Sequence, residues 1–295
     1  MCDYILTSES TADYPRAFFE ERHIPFASFH YELDGAAGLD DLYQSVSSEA
    51  FFSALKDGGR STTSQPSAGE YASLWRPHLK QGLDVVHLTL SSGISGAFNS
   101  ASVAAEQLAS EFPERTIHVV DSLAASSGFG LLLEQMADRR DAGMSAADLA
   151  DWARDHRLEV NHWFFVSDLD CLKRGGRVSA ASAVIATALK ICPVLDVDFE
   201  GHLIPRTKIR TARKAVRELA RVFAERVEGG AATTGPCAIS HSHCREEAEQ
   251  LAEMIGAFAP ALAGKVAIYD IGTVIGSHTG PGTVALFFMG ERRSA

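Results

Sequence analysis

The first half of the chain alternates short apolar runs with helical periods, and this alternation limits the fold more than any other feature. Tyr4 to Thr7, Phe26 to Tyr31, Val85 to Leu90 and Ile117 to Val120 read as strands. The last two are each followed by a small-residue turn and an apolar-periodic helix, Ser100 to Leu108 and Gly130 to Met136. Strand, turn and helix in repetition call for crossover connections, so the strands run parallel with helices packed on the sheet. Ligands of such sheets sit beyond the carboxyl ends of the strands. TSESTAD (7–13), LSSGISG (90–96) and VDSLAAS (120–126) all fall at that edge.

The second half reads differently. Trp163 to Val166, Cys192 to Phe199, Leu203 to Ile209 and Ala267 to Ile271 are candidate strands, and Glu200-Gly201 suits a hairpin turn because glycine supplies the positive φ that such turns need. Helices are expected from about Thr211 to Glu228 and from about Glu246 to Ala257. The expected architecture is therefore α/β: a Rossmann-like parallel-sheet domain at 1–157 and an α+β domain with a mixed sheet at 158–295, with a ligand cleft between them. At 295 residues, two domains are the default. The division is placed in a polar helix from Ser145 to His156, between Met144 and Asn161.

Charge narrows the partners. A net charge of −11 repels nucleic acid and anionic membrane, and it also repels a free carboxylate. An anion site must then be built locally from N–H groups, hydroxyls and a cation. Cys2, Cys171, Cys192, Cys237 and Cys244 form an odd set without a C-x-x-C pair, which argues against a disulfide framework and a cysteine zinc site. Asp3, Glu9 and Asp13 interrupt the first fifteen residues, unlike a signal peptide. The longest apolar stretch, around Val184 to Val197, is broken by Lys190 and Pro193 and is too short to cross a bilayer. The expected location is the cytoplasm.

Three hydroxyl motifs carry the chemistry: TTSQPS (62–67), SSGISG (91–96) and SHTGPG (277–282). SSGISG follows a strand and opens a helix, so unpaired N–H groups meet three hydroxyls at a positive dipole end, a ready anion site. A plain N-cap explains one of those serines. In TTSQPS, Ser67 suits a cap for a helix from Ala68 to about Leu79, leaving Thr62, Thr63 and Ser64 as turn or site. SHTGPG places His278 in a glycine-rich turn, where a protonatable imidazole between Ser277 and Thr279 would hydrogen-bond a carboxylate and offset its charge. His241 and His243 share a face of an expected strand but have no third metal ligand at useful spacing. Two basic clusters, Lys173, Arg174 and Arg177 around a glycine pair, and Lys208, Arg210, Arg213 and Lys214, suit either a solvated face or an acidic partner. There is no G-x-x-x-x-G-K-[ST] loop, and Gly128 and Gly130 lack the third glycine of a dinucleotide fingerprint. Ser92 or Ser95 with His278 and Asp121 would make a hydrolase triad, but Ser95 lies in G-x-S-G rather than the G-x-S-x-G elbow.

SESTADYP (8–15), TSQPSAGEY (63–71), LSSGISGAFNSA (90–101), VVDSLAASSGFG (119–130), LKRGGRVS (172–179), KIRTARKA (208–215) and IGTVIGSHTGPG (271–282), in this order, resemble the DegV family over nearly the whole chain. The resemblance implies two α/β domains enclosing one long-chain fatty acid, no cofactor and no catalysis by the chain itself. It implies a carrier that presents the carboxylate to a separate ATP-using fatty acid kinase subunit, which makes an acyl phosphate for phospholipid synthesis. A lipid-handling role leaves transient membrane contact open. Carried over by position, the carboxylate site is Thr63, Ser64, Ser95, Gly96, His278 and Thr279. Arg174, Arg177 and Arg210 match basic positions near the cavity mouth, with Arg210 chosen for docking the kinase. Where the family has Thr-Asp-Ser-Thr this chain has Ser8-Glu9-Ser10-Thr11, a change expected to adjust local hydrogen bonds without abolishing binding. Phe26, Phe29, Phe98, Phe129, Val184, Ile185 and Leu189 are candidate tunnel walls. The enzymatic alternative is a serine hydrolase acting on acyl esters.

Overall fold

The computed structural model describes residues 3–167, 169–178 and 191–294. Cys2, Val184, Ile185 and Leu189 lie outside the described residues. The strands are β1 (Tyr4–Glu9), β2 (Phe26–Ala27), β3 (His30–Leu33), β4 (Ala36–Leu39), β5 (Ser61–Ser64), β6 (Asp84–Thr89), β7 (Ile117–Asp121), β8 (Val160–Phe165), β9 (Cys192–Val197), β10 (Leu203–Ile209), β11 (Cys237–His241), β12 (Ala267–Asp270) and β13 (Val284–Met289). The helices are α1 (Arg16–Glu21), α2 (Ser48–Lys56), α3 (Ala68–Lys80), α4 (Ala97–Glu111), α5 (Ser126–Asp141), α6 (Ala146–His156), α7 (Leu169–Gly175), α8 (Ala212–Arg226), α9 (Arg245–Phe258) and α10 (Thr273–Thr279).

β2, β1, β6 and β7 form a sheet in that order, parallel throughout. Both faces are apolar, as a parallel sheet covered on two sides requires. Leu6, Val86 and Leu88 pack with residues of α5 and α6, whereas Ile5 and Val85 pack with residues of α3 and α4. The second sheet, β10-β9-β8-β13-β11-β12, is antiparallel except for β11 beside β12, so it is mixed. Side chains alternate across it. Trp163, Phe165, Leu286 and Phe288 meet α8 and α9, and Phe164, Leu195, Ala285 and Phe287 face the other way. β9 and β10 form the expected hairpin, with Gly201 at φ +81°.

α5 lies between the two sheets and is buried nearly all round, the pattern of a helix with no solvent face. Gly128 in its first turns lets His162 and Phe287 of the mixed sheet approach its backbone. Ser127 on α5 and Ser240 on β11 join hydroxyls at 2.5 Å.

The structure corrects three local expectations. Phe26 to Tyr31 is not one strand. Ser10 Oγ accepts a hydrogen bond from Phe29 N at 3.2 Å, and the chain leaves the parallel sheet after Ala27 to form a separate antiparallel sheet, β4-β3-β5. The hydroxyl run before Ser67 is an edge strand of that sheet, not a turn: Thr63 pairs with Tyr31 and Ser64 with His30. His278 sits in the last turn of α10, not in the glycine turn after it, because the helix runs on to Thr279 before Gly280 turns out at φ +72°. No helix among the described residues is long and apolar enough to cross a membrane.

Candidate functional site

A cavity of about 350 Å³ lies between the inner face of the mixed sheet and the first half of the chain. Phe29, Leu90 and Val274 form one wall and Phe164, Val197 and Phe287 another. Of the seven aromatic and aliphatic tunnel candidates, Phe29 lines it. Phe26 and Phe129 belong instead to the core beneath the parallel sheet, and Phe98 is not part of the cavity wall.

The polar part of the wall is assembled from three distant segments. β5 alternates, so Ser61 and Thr63 point to α10 while Thr62 faces solvent. Thr63 Oγ1 lies 2.7 Å from His278 Nε2, and Ser61 Oγ 2.7 Å from Ser277 Oγ. Ser64, Gln65, Ser95 and Thr279 also line the cavity. Gly96 does not. It is exposed and caps α4, with its Cα so close to Gln65 that a Cβ would touch the side-chain amide. That amide donates to Ser100 Oγ at 2.8 Å, which fixes the β5 end to α4. Gln65 was legible only as the middle of the hydroxyl motif, not as a wall residue.

The three serines of SSGISG diverge rather than converge. Ser91 is fully buried, donates to Gly201 O at 2.9 Å and so anchors the β9–β10 hairpin. Ser92 is exposed, and Ser95 alone reaches the cavity. Ser95 Oγ also accepts from Ala97 N at 3.2 Å, which leaves its proton to donate.

His278 is not the expected imidazolium. Burial, reinforced by the Arg177 charge, pushes its pKa down to about 4, so the ring is neutral at pH 7. Its Nδ1 has no hydrogen-bond partner among the described residues and abuts Gly175, whose missing side chain leaves room for the ring. Among the described residues, the cation in the cavity wall is Arg177. Its guanidinium lines the cavity while remaining exposed, and donates to Ile94 O at 3.3 Å and Gly175 O at 2.5 Å. Arg174 is exposed with Nη2 3.1 Å from Cys171 Sγ, and Arg210 is exposed at the end of β10, away from the cavity wall. The three arginines are therefore not one cluster.

No hydrolase relay is assembled among the described residues. Asp121 Oδ1 accepts from the backbone N–H groups of Ser92 and Leu123, and His278 Nε2 meets Thr63 rather than a serine of the loop. His241 is buried on β11 and His243 exposed beyond it, with no third ligand grouped with them among the described residues.

A family model described as "Uncharacterised protein, DegV family" matches residues 5–291. The chain belongs to the DegV family. A DegV domain-containing protein of Clostridium perfringens (strain 13) is 33% identical over 293 residues, 99% of each chain. Two solved structures are similar throughout. A DegV family protein from Thermus thermophilus, described by its fatty acid binding, superposes at a TM-score of 0.85 with 28% identity, covering 98% of this chain and all of that one. DegV from Bacillus subtilis, described as a fatty acid binding protein, gives 0.83 and 28%, covering 99% of this chain and all of that one.

In this DegV chain the Glu9 carboxylate is fully buried beneath the site. Oε1 accepts from Tyr71 OH at 2.5 Å and Oε2 from Leu90 N at 2.8 Å, so it ties α3 to the start of the loop that carries Ser95.

Proposed function

We propose that this DegV protein encloses one long-chain fatty acid between halves 1–157 and 158–295 and presents the carboxylate to a separate ATP-using kinase subunit. The observation that carries this reading is one cavity whose mostly apolar wall includes Thr63, bonded to His278, and Arg177, bonded to the Ile94 carbonyl next to Ser95. An acyl chain gains roughly 0.8 kcal/mol per buried CH₂, so the walls need only exclude water. The head group needs donors and a charge. Ser95 supplies one donor, the neutral His278 gives its Nε2–H to Thr63 Oγ1 so that the threonine proton is free for the carboxylate, and Arg177 supplies the compensating charge that the imidazole does not. Arg177 at this position serves the ligand, leaving Arg174 and Arg210 for the kinase. The likeness to fatty-acid-binding relatives from Thermus and Bacillus supports the ligand class. No chemistry on the acyl group is assigned to this chain.

Mass spectrometry of the purified, denatured protein tests the reading. One equivalent of free fatty acid is expected, reduced in Thr63→Val. Protein that carries no lipid but hydrolyses p-nitrophenyl esters in a Ser95-dependent manner overturns it in favour of a hydrolase.

A further inference from the structure

A second, smaller cavity of about 140 Å³ lies behind the first, sharing His162 and Val197 with it. Three arginines, Arg206, Arg226 and Arg293, surround it with one carboxylate, Asp196. Arg206 Nε pairs with Asp196 Oδ1 at 2.8 Å. The Arg226 guanidinium stands 5.6 Å from the centre of the Trp163 ring and has no ion pair among the described residues. Arg293 is only 7% exposed. Its Nη1 donates to Asp198 O at 2.7 Å and its Nη2 to Arg157 O at 3.1 Å, but its Nε has no hydrogen-bond partner among the described residues. Backbone carbonyls satisfy N–H groups without supplying charge. Asp198, Asp196 and Asp121 attract Arg293 through space but none pairs with it directly among the described residues, and a buried cation without a paired carboxylate is costly. Burial draws the Arg293 pKa down to about 10, against the attraction of Asp198, Asp196 and Asp121.

The geometry points to a phosphate-binding site in this second cavity, formed by Arg206, Arg226 and Arg293 and taking a phosphate group that is either free or borne as a small monoester. Guanidinium forks match phosphate oxygens two at a time, and three of them around one cavity suit an anion with several acceptor oxygens better than a single carboxylate. The volume equals roughly four to five waters at about 30 Å³ each, room for a phosphate and some solvent but not for a nucleoside. Trp163 holds the Arg226 side chain by a cation–π contact, and no hydrogen bond or ion pair takes up its N–H groups among the described residues. This site does not depend on what the larger cavity holds.

The test titrates the full chain with inorganic phosphate, glycerol 3-phosphate and acetate at constant pH and ionic strength, following ³¹P linewidths and thermal unfolding. Phosphate is expected to bind and raise Tm above the acetate control, and Arg226→Gln and Arg206→Gln, which leave the buried Arg293 in place, to weaken it about tenfold. Arg76→Gln, on α3 and remote from the cavity, is expected to bind as the parent does. Preference for glycerol 3-phosphate over free phosphate would identify a monoester as the source, and equal affinity would show that the phosphate group alone is read. Acetate as effective as phosphate, or unchanged binding in both arginine variants, overturns the proposal.

Discussion

His278 is kept uncharged by the fold, and that has a measurable cost in acid. Its pKa lies at 6.5 when unperturbed and about 4 in the native protein, so between those values the unfolded chain binds more protons than the folded one. Stability therefore falls as pH drops through that window, by about 3 kcal/mol at 1.36 kcal/mol per tenfold. Asp40 works in the opposite sense. Burial lifts its carboxyl from 3.8 to about 6, and stability is lost as pH rises through that range. The whole-protein pH profile mixes the two, so the His278 contribution is isolated by difference. From pH 7 to pH 4, the parent is expected to lose about 3 kcal/mol more than His278→Asn in urea unfolding. Parallel losses would show that the ring is already charged in the native state. The motif SHTGPG revealed an imidazole beside hydroxyls, but its charge state depends on burial and on Arg177, which is a hundred residues away in sequence.

At the scale of elements, α7 and α10 meet where the Gly175 backbone lies against the His278 ring. A methyl group there collides with Nδ1, and forcing it in costs roughly 1–3 kcal/mol and tilts the imidazole off Thr63. The neighbouring Gly176 makes a contrast: at φ +67° it has nothing near its missing Cβ, so alanine there meets backbone strain alone, about 1–2 kcal/mol. Both Gly175→Ala and Gly176→Ala should lower the urea midpoint, but only Gly175→Ala should also lower the fatty acid retained, measured by mass spectrometry. Retention equal to the parent in Gly175→Ala would remove His278 from the head-group site. Element type was largely legible from periodicity: the β6–α4 and β7–α5 units, the β9–β10 hairpin, and α8 and α9 all lie where the apolar spacing places them. β5 was not. A run of threonine and serine has no apolar alternation to report, and it becomes a strand only because His30–Leu33 offers it an edge.

Over the whole molecule, the cavity and the exposed basic end of β10 are separate features. Arg210→Ala is accordingly expected to leave bound fatty acid at one equivalent while lowering acyl-phosphate formation by the kinase subunit, read as turnover at fixed carrier concentration. Loss of lipid in that variant would place Arg210 at the cavity instead. The fold class, the parallel and mixed sheets and the family were legible in the amino-acid sequence, because these follow from local periodicity and from motifs in order along the chain. It also marked Thr63, Ser95 and His278, through three hydroxyl motifs and their resemblance by position to the family. Folding set which of those groups share a wall, that Ser91 anchors a hairpin while Ser95 lines the cavity, and that in that wall Arg177 is charged and His278 neutral. Those outcomes turn on burial and on distances between segments far apart in the chain, and desolvation acts on a side chain only once the other half of the protein has closed over it.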